Sequence, residues 1–295
     1  MRFAIPILLL FGLAVFILPA CKVKDKPEIV TTEVLEEELT ANEGKVRLIF
    51  YNMYLPTEMS RMFERVGANY TPGILNPADN FSRYSTKEDI SLNIGVYGVD
   101  LSYCLIFGQT AATAKYFSTI QLLYEKLGIP DNSYLEIIKG LEKSYSDKDS
   151  LARFATELFD FADRYLREND NDANAAMIIT GGWVESLYLA CKIAEKNPEN
   201  IEITERIAAQ KYSLNSLLSL LSNFQNDIVI AENLLMLKGL KKSFDKFDIY
   251  YKQDDFKLDT INKLIYTSDY SINMSPEVLS EINSTVSEIR AEIVN

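Results

Sequence analysis

Ser91-Leu92-Asn93-Ile94-Gly95-Val96-Tyr97-Gly98-Val99-Asp100-Leu101-Ser102-Tyr103 decides the fold, because it lies in a run, Thr86 to Phe107, whose only charge beyond Asn93 is Asp100. No solvent-facing side can be drawn on such a segment, so it predicts a central helix surrounded by others. At about 100° per residue, Ser91, Gly95, Gly98 and Ser102 fall within roughly 60° of one another, forming a stripe along which a neighbouring backbone can approach. Each glycine inside a helix costs about 1 kcal/mol relative to alanine. Close packing or a ligand must compensate, and close packing is the expectation.

Working outward, apolar residues recur at three- and four-residue spacing from Val46 onward, with one candidate strand, Val46 to Tyr51. The fold class expected is all-α, a multi-helix bundle or an array of antiparallel helical hairpins. Helix starts are legible at Pro56-Thr57-Glu58, at the capping box Ser85-Thr86-Lys87-Glu88, at Asn132-Ser133 and at Ser275-Pro276-Glu277. Gly67, Gly108 and Gly128 read as stops, and Ile129-Pro130-Asp131 and Asn197-Pro198 as connections. The last helix should bury Val278, Leu279, Ile282, Val286, Ile289 and Ile293, which share one face, and so pack on the body. Val99-Asp100-Leu101-Ser102-Tyr103 is echoed by Val184-Glu185-Ser186-Leu187-Tyr188, and each precedes a helix with Lys-Tyr, at Lys115-Tyr116 and Lys211-Tyr212. The distances from acid to Lys-Tyr differ, so this is at most a weak internal duplication.

The N-terminus reads differently. Arg2 followed by the apolar run Phe3 to Leu18 has the form of an export signal over residues 1–20. It ends in Leu18-Pro19-Ala20-Cys21, which resembles a bacterial lipobox with Pro19 departing from the usual small or branched residue; Cys21 is then the expected lipidation site. Residues 21–45, with Pro27 and Glu36-Glu37-Glu38, have little apolar content and read as a flexible tether, leaving 46–295 as the helical domain. Loss of the leader leaves 29 basic against 42 acidic residues, a formal charge of −13. Anionic headgroups would repel such a body, so the membrane is an expected partner through covalent lipid.

Composition removes whole classes of function. The chain of 295 residues has no histidine, so Ser-His-Asp and Cys-His triads, histidine-ligated metals and imidazole bases are excluded. Thirty Lys and Arg against 42 Asp and Glu argue against nucleic acid as a partner. No phosphate loop, dinucleotide glycine fingerprint or Gly-x-Ser-x-Gly elbow occurs, and no cofactor is expected.

Asp100 and Glu185 are the residues that invite chemistry. Each sits in an apolar helix where an unpaired charge costs several kcal/mol or a strongly raised pKa. Two readings stand: structural acids with basic or hydroxyl partners, or a carboxylate pair facing one cavity, as in a glycoside hydrolase. Arg83 is a candidate partner for Asp100. It closes the longest loop, Ala68 to Tyr84, whose two prolines and whose Tyr70, Phe81 and Tyr84 make it a candidate ligand-facing surface. Asp170-Asn171-Asp172-Ala173-Asn174 begins like a calcium loop, but Ala175 and Gly181 stand where the glycine and closing glutamate are required, so it reads as a helix link and no metal site is expected. Cys104 and Cys191 read as small buried hydrophobes, with a disulfide open if their helices are neighbours. Phe154, Leu158, Phe161 and Tyr165 lie at core spacing. Trp183, after Gly181-Gly182, fills space beside its helix and joins the candidate polar site.

Three stretches, Ile74-Leu75-Asn76-Pro77, Ser91 to Tyr103 and Gly181-Gly182-Trp183-Val184-Glu185-Ser186-Leu187-Tyr188, resemble an uncharacterised family of helical predicted lipoproteins from Bacteroidota. The resemblance covers most of the chain from Val46 and implies an envelope location without catalytic residues. It also implies two readings of short motifs. Lys22-Val23-Lys24-Asp25-Lys26 matches the surface-export signal of that phylum poorly, which favours an outer-membrane anchor facing the periplasm, and Asp149-Ser150-Leu151 and Asp259-Thr260-Ile261 resemble its O-glycosylation triplet. The function expected is a non-catalytic binding or scaffold module for an envelope protein or small ligand. The alternative is a hydrolase using Asp100 and Glu185, and a purely structural envelope protein is the third class.

Overall fold

Thr86 opens the first long helix, α1 (Lys87–Ile106), by accepting the Asp89 N–H at 3.0 Å on its hydroxyl. The cap therefore lies one residue beyond the Ser85-to-Glu88 box read from sequence. The computed structural model describes residues 62–130, 134, 157, 160–251, 256–259, 264–267 and 270–295, all within one compact unit, Thr40–Asn295. The leader, Cys21, the tether, Val46–Tyr51, Pro56-Thr57-Glu58, Asn132-Ser133, Ser150 and Thr260 lie outside the described residues.

Helix α1 is buried at every position from Ile90 to Ile106, as its sequence demands. Helix α2 (Thr110–Leu127) folds back on it after Gly108. A helical stretch over residues 160–168 then leads through Asp170 to α3 (Asp172–Lys196). Asn197-Pro198 separates α3 from α4 (Ile201–Leu221), and α5 (Ile228–Phe244) follows; Asn200 and Asp227 cap these two by accepting the Ile203 and Ile230 N–H groups at 3.2 and 3.1 Å. Ser275 caps α6 (Pro276–Val294), and the proline at the first helical position needs no N–H there. Gly67, Gly108 and Gly128 take φ of 70°, 66° and 84°, the left-handed conformation of helix stops.

Helices α3, α4, α5 and α6 contact one another in a cycle and close a four-helix ring. Its core holds Trp183, Leu214, Leu217, Leu237, Ile282 and Val286. Helix α1 lies along α3, touches α6 and carries α2. Two glycines set the α1–α3 contact. A Cβ on Gly95 would sit 2.1 Å from the Ile178 carbonyl oxygen, and one on Gly181 would sit 1.9 Å from that of Leu92. Both obstacles are backbone, so neither helix could keep this approach with a side chain at either position. The small-residue stripe is a packing surface.

The described residues are thus all-α apart from one feature the periodicity did not predict. Strands β1 (Ile249–Tyr251), β2 (Phe256–Asp259), β3 (Leu264–Thr267) and β4 (Tyr270–Ile272) form two antiparallel ladders between α5 and α6. Tyr251 pairs with Tyr270 and Phe256 with Thr267, so the two ladders differ in register. The density of Ile, Tyr and Phe from Ile249 to Ile272, without a helix cap, was the available signal.

Candidate functional site

The α1–α3 crossing brings together the two acids that lie 85 residues apart in sequence. Asp100 and Glu185 are both fully buried, and their carboxyls lie within hydrogen-bonding reach of each other. Glu185 accepts a two-pronged contact from Arg290 of α6, with Nε at 2.9 Å and Nη2 at 3.2 Å. The same guanidinium donates to the Ile74 carbonyl at 3.3 Å and lies 4.6 Å from the centre of the Tyr188 ring. Asp100 Oδ2 accepts the Asn76 N–H at 3.0 Å, while its Oδ1 meets no donor.

Two carboxyls can bond only if one holds a proton. Burial first, and then the charge of Glu185, push the Asp100 carboxyl well above its usual range, against the pull of Arg290. Burial raises Glu185 too, but Arg290 opposes the shift directly. Burial also works against the charge on Arg290, yet the adjacent acids keep its guanidinium above its ordinary value. The arrangement therefore runs from Arg290 to Glu185, which it pairs, to Asp100, the carboxyl that burial and the neighbouring acid push furthest toward the neutral form. It is a buried polar cluster in which Asp100 Oδ1 is left without a donor, and neither carboxyl presents a surface to a substrate.

Arg83 is exposed and does not join this cluster, which corrects the sequence expectation. The signal for Arg290 was present: it stands four residues after Val286 and three before Ile293, on the apolar face of the last helix. A basic residue on a buried stripe calls for an acid.

The loop from Ala68 to Tyr84 buries Leu75, Asn76, Ala78 and Tyr84 and leaves Asn69, Pro72, Gly73, Pro77, Asp79, Ser82 and Arg83 exposed. Asn76 is fully buried; its amide nitrogen donates to the Tyr84 hydroxyl and the Asn93 oxygen at 3.0 and 3.3 Å, and its carbonyl accepts the Tyr116 hydroxyl at 2.9 Å. Tyr84 and Asn93 in turn donate to the Val294 and Ile293 carbonyls at 3.2 and 2.8 Å, satisfying the open C-terminal end of α6. Tyr70 stacks on Tyr103 with ring centres 5.6 Å apart, and its hydroxyl lies 3.6 Å from Cys104 Sγ. Trp183 is buried elsewhere, donating to Ser213 at 2.9 Å across α3 and α4. Asp100, Glu185, Tyr70 and Tyr84 thus border one polar core, from which Arg83 and Trp183 are separate.

Cys104 and Cys191 are free and buried, and burial pushes both thiols up to about 12. They are unreactive as thiolates there. The Lys-Tyr echo does not extend to environment, since Tyr116 is buried and Tyr212 is 40% exposed. Asp170 takes a left-handed turn and Asn171 precedes α3, so the calcium-like stretch is a helix link. Among the described residues no three Cys, Asp or Glu side chains converge as a metal would require.

The open concave surface lies elsewhere, where the C-terminal turns of α3, the start of α4, the end of β4 and the start of α6 meet. It is a half-open groove of about 620 Å³. Cys191, Ala194, Ile201, Ile272, Met274 and Leu279 supply its apolar lining, and Glu195, Glu199 and Glu205 its charges. A smaller cavity of about 210 Å³ lies between the start of the loop from Ala68 to Tyr84 and α3, where Lys196 donates to Thr71 at 3.0 Å. No local pattern announces the groove, because its lining comes from four separate elements.

Comparison with protein-family models, with curated proteins and with solved structures finds no match to this chain.

Proposed function

We propose that this chain is a lipid-anchored protein of a bacterial envelope, held through Cys21 at the outer membrane and facing the periplasm, whose helical body is a non-catalytic binding or scaffold module. The observation that carries the reading is the contrast between a sealed acid pair and an open groove: chemistry-bearing side chains are consumed in the core, while the accessible concavity is lined by apolar side chains and carboxylates. Burial of Asp100 and Glu185 weighs against a glycosidase, which must hold two carboxyls on either side of a bound sugar. The anchor rests on Leu18-Pro19-Ala20-Cys21 and the tether behind it. Among the described residues no helix is long and apolar enough to cross a membrane.

Expression of the full chain in a bacterial host, with mass spectrometry of its N-terminal peptide and a Cys21→Ser control, tests the anchor. The expected product begins at a diacylglyceryl-modified Cys21 and sediments with membranes, whereas Cys21→Ser does not. A photo-crosslinking residue at Thr204, in the groove, should then trap an envelope partner that one at the remote Lys238 does not. An unacylated, freely soluble product would overturn the anchor, and equal crosslinking at the two positions would overturn the groove as the binding face.

A further inference from the structure

We infer that the groove between α3, α4 and α6 receives a basic segment of a partner protein, an extended peptide with an aliphatic side chain flanked by lysine or arginine. This rests on the reading of the body as a binding module. Size and shape set the first limit. At about 620 Å³ the groove lies within the range of ligand sites, about 300–1,000 Å³, but it is half open, and small-molecule pockets enclose most of their ligand. An extended peptide can lay alternate side chains into such a surface and leave the others in water.

The apolar lining explains the anchor residue. Ile201 stands at the edge of the groove with 71% of its surface exposed, and Leu279 and Met274 are only half buried. Such apolar surface gains by covering an aliphatic side chain. Charge explains the flanks. Three glutamates line the groove and no lysine or arginine does. Glu195 is held by Asn283 and, at 3.4 Å, by Lys192, whereas Glu199 and Glu205 have no ion pair among the described residues. A second copy of this chain, at −12 overall, and an anionic lipid surface would both meet repulsion there. A cationic segment would meet attraction.

Fluorescence anisotropy with the detergent-solubilised lipidated chain tests the inference. The probes are labelled pentapeptides of sequence Lys-Leu-Lys-Leu-Lys, Gln-Leu-Gln-Leu-Gln and Glu-Leu-Glu-Leu-Glu. The basic probe should bind at least about tenfold more tightly than the acidic one. Glu199→Lys with Glu205→Lys should reverse that order, and Ile201→Ser should weaken the basic probe about tenfold. All of these positions are exposed or half-buried, and melting curves verify the fold of each variant. If the neutral or acidic probe binds as tightly as the basic one, and Ile201→Ser still weakens it, the groove is a binding site and the inferred partner chemistry is wrong. If no probe responds to Ile201→Ser while Thr204 still crosslinks selectively, the peptide inference fails and the binding-module reading stands. If Thr204 crosslinking is also unselective, both fail.

Discussion

Helices α3 and α6 build both the sealed acid cluster and the open groove, and handle carboxylates in opposite ways in the two places. Glu185 on α3 is fully buried against Arg290 of α6. Glu195 on the same helix, ten residues later, faces the groove with 52% of its side chain exposed, and Asn283 of α6 holds it. The difference lies in what crosses α3. Beside Glu185, α1 approaches at backbone contact through Gly95 and Gly181, which leaves no room for a side chain between the helices and makes a protein partner for the buried charge necessary. At the groove the neighbours are the start of α4 and the hairpin base, whose side chains leave space unfilled. One pair of helices thus carries a buried polar cluster and, about three turns further along α3, an open groove.

The largest effect is expected at Arg290. Arg290→Met leaves the Glu185 charge without its counter-ion in the interior and should cost about 3–5 kcal/mol of stability, read as a lower urea midpoint. A loss below about 1 kcal/mol would mean that Glu185 is not ionised in the fold.

A second variant sharpens the protonation assignment. The Asp100 pKa is higher folded than unfolded, so the native state holds the extra proton, and its stability falls as pH rises from the ordinary carboxylate range through the raised value. Over that window the loss approaches about 1.4 kcal/mol per pH unit. Asp100→Asn keeps an acceptor for the Asn76 N–H and supplies an uncharged donor to Glu185. It should match the natural chain to within about 1 kcal/mol at acidic pH and exceed it increasingly toward alkaline pH, as urea titrations at several pH values would show. Parallel pH curves for the two proteins would place the proton elsewhere.

The smallest effect is expected at the groove. Ile201→Ser removes an exposed side chain and should change stability by no more than about 0.5 kcal/mol, although it weakens peptide binding. A larger loss would show that the apolar groove wall supports the fold instead of serving a partner.

Helix ends were legible at Ser275-Pro276 and the three left-handed glycines, whereas the Asn200 and Asp227 caps of α4 and α5 went unread among other polar residues. The burial of α1 was legible from its lack of charge on any side, and the apolar face of α6 from its period. The β-arm was not, since short alternating stretches around Tyr251 and Tyr266 sit among polar residues that also suit helix surfaces. Arg83 was the nearer basic candidate in sequence, and only the docking of α6 decided that Arg290 pairs with the acids.

A largely helical body, a small-residue stripe on its central helix and two interior acids in need of partners are written in the chain's local patterns. These follow from side-chain volume, charge and a 3.6-residue period, which act within one segment. Which cation answers those acids and where an open groove remains follow from the docking of α6 and the meeting of four elements. Each depends on distances between segments far apart in the chain, and a local pattern carries no information about those distances.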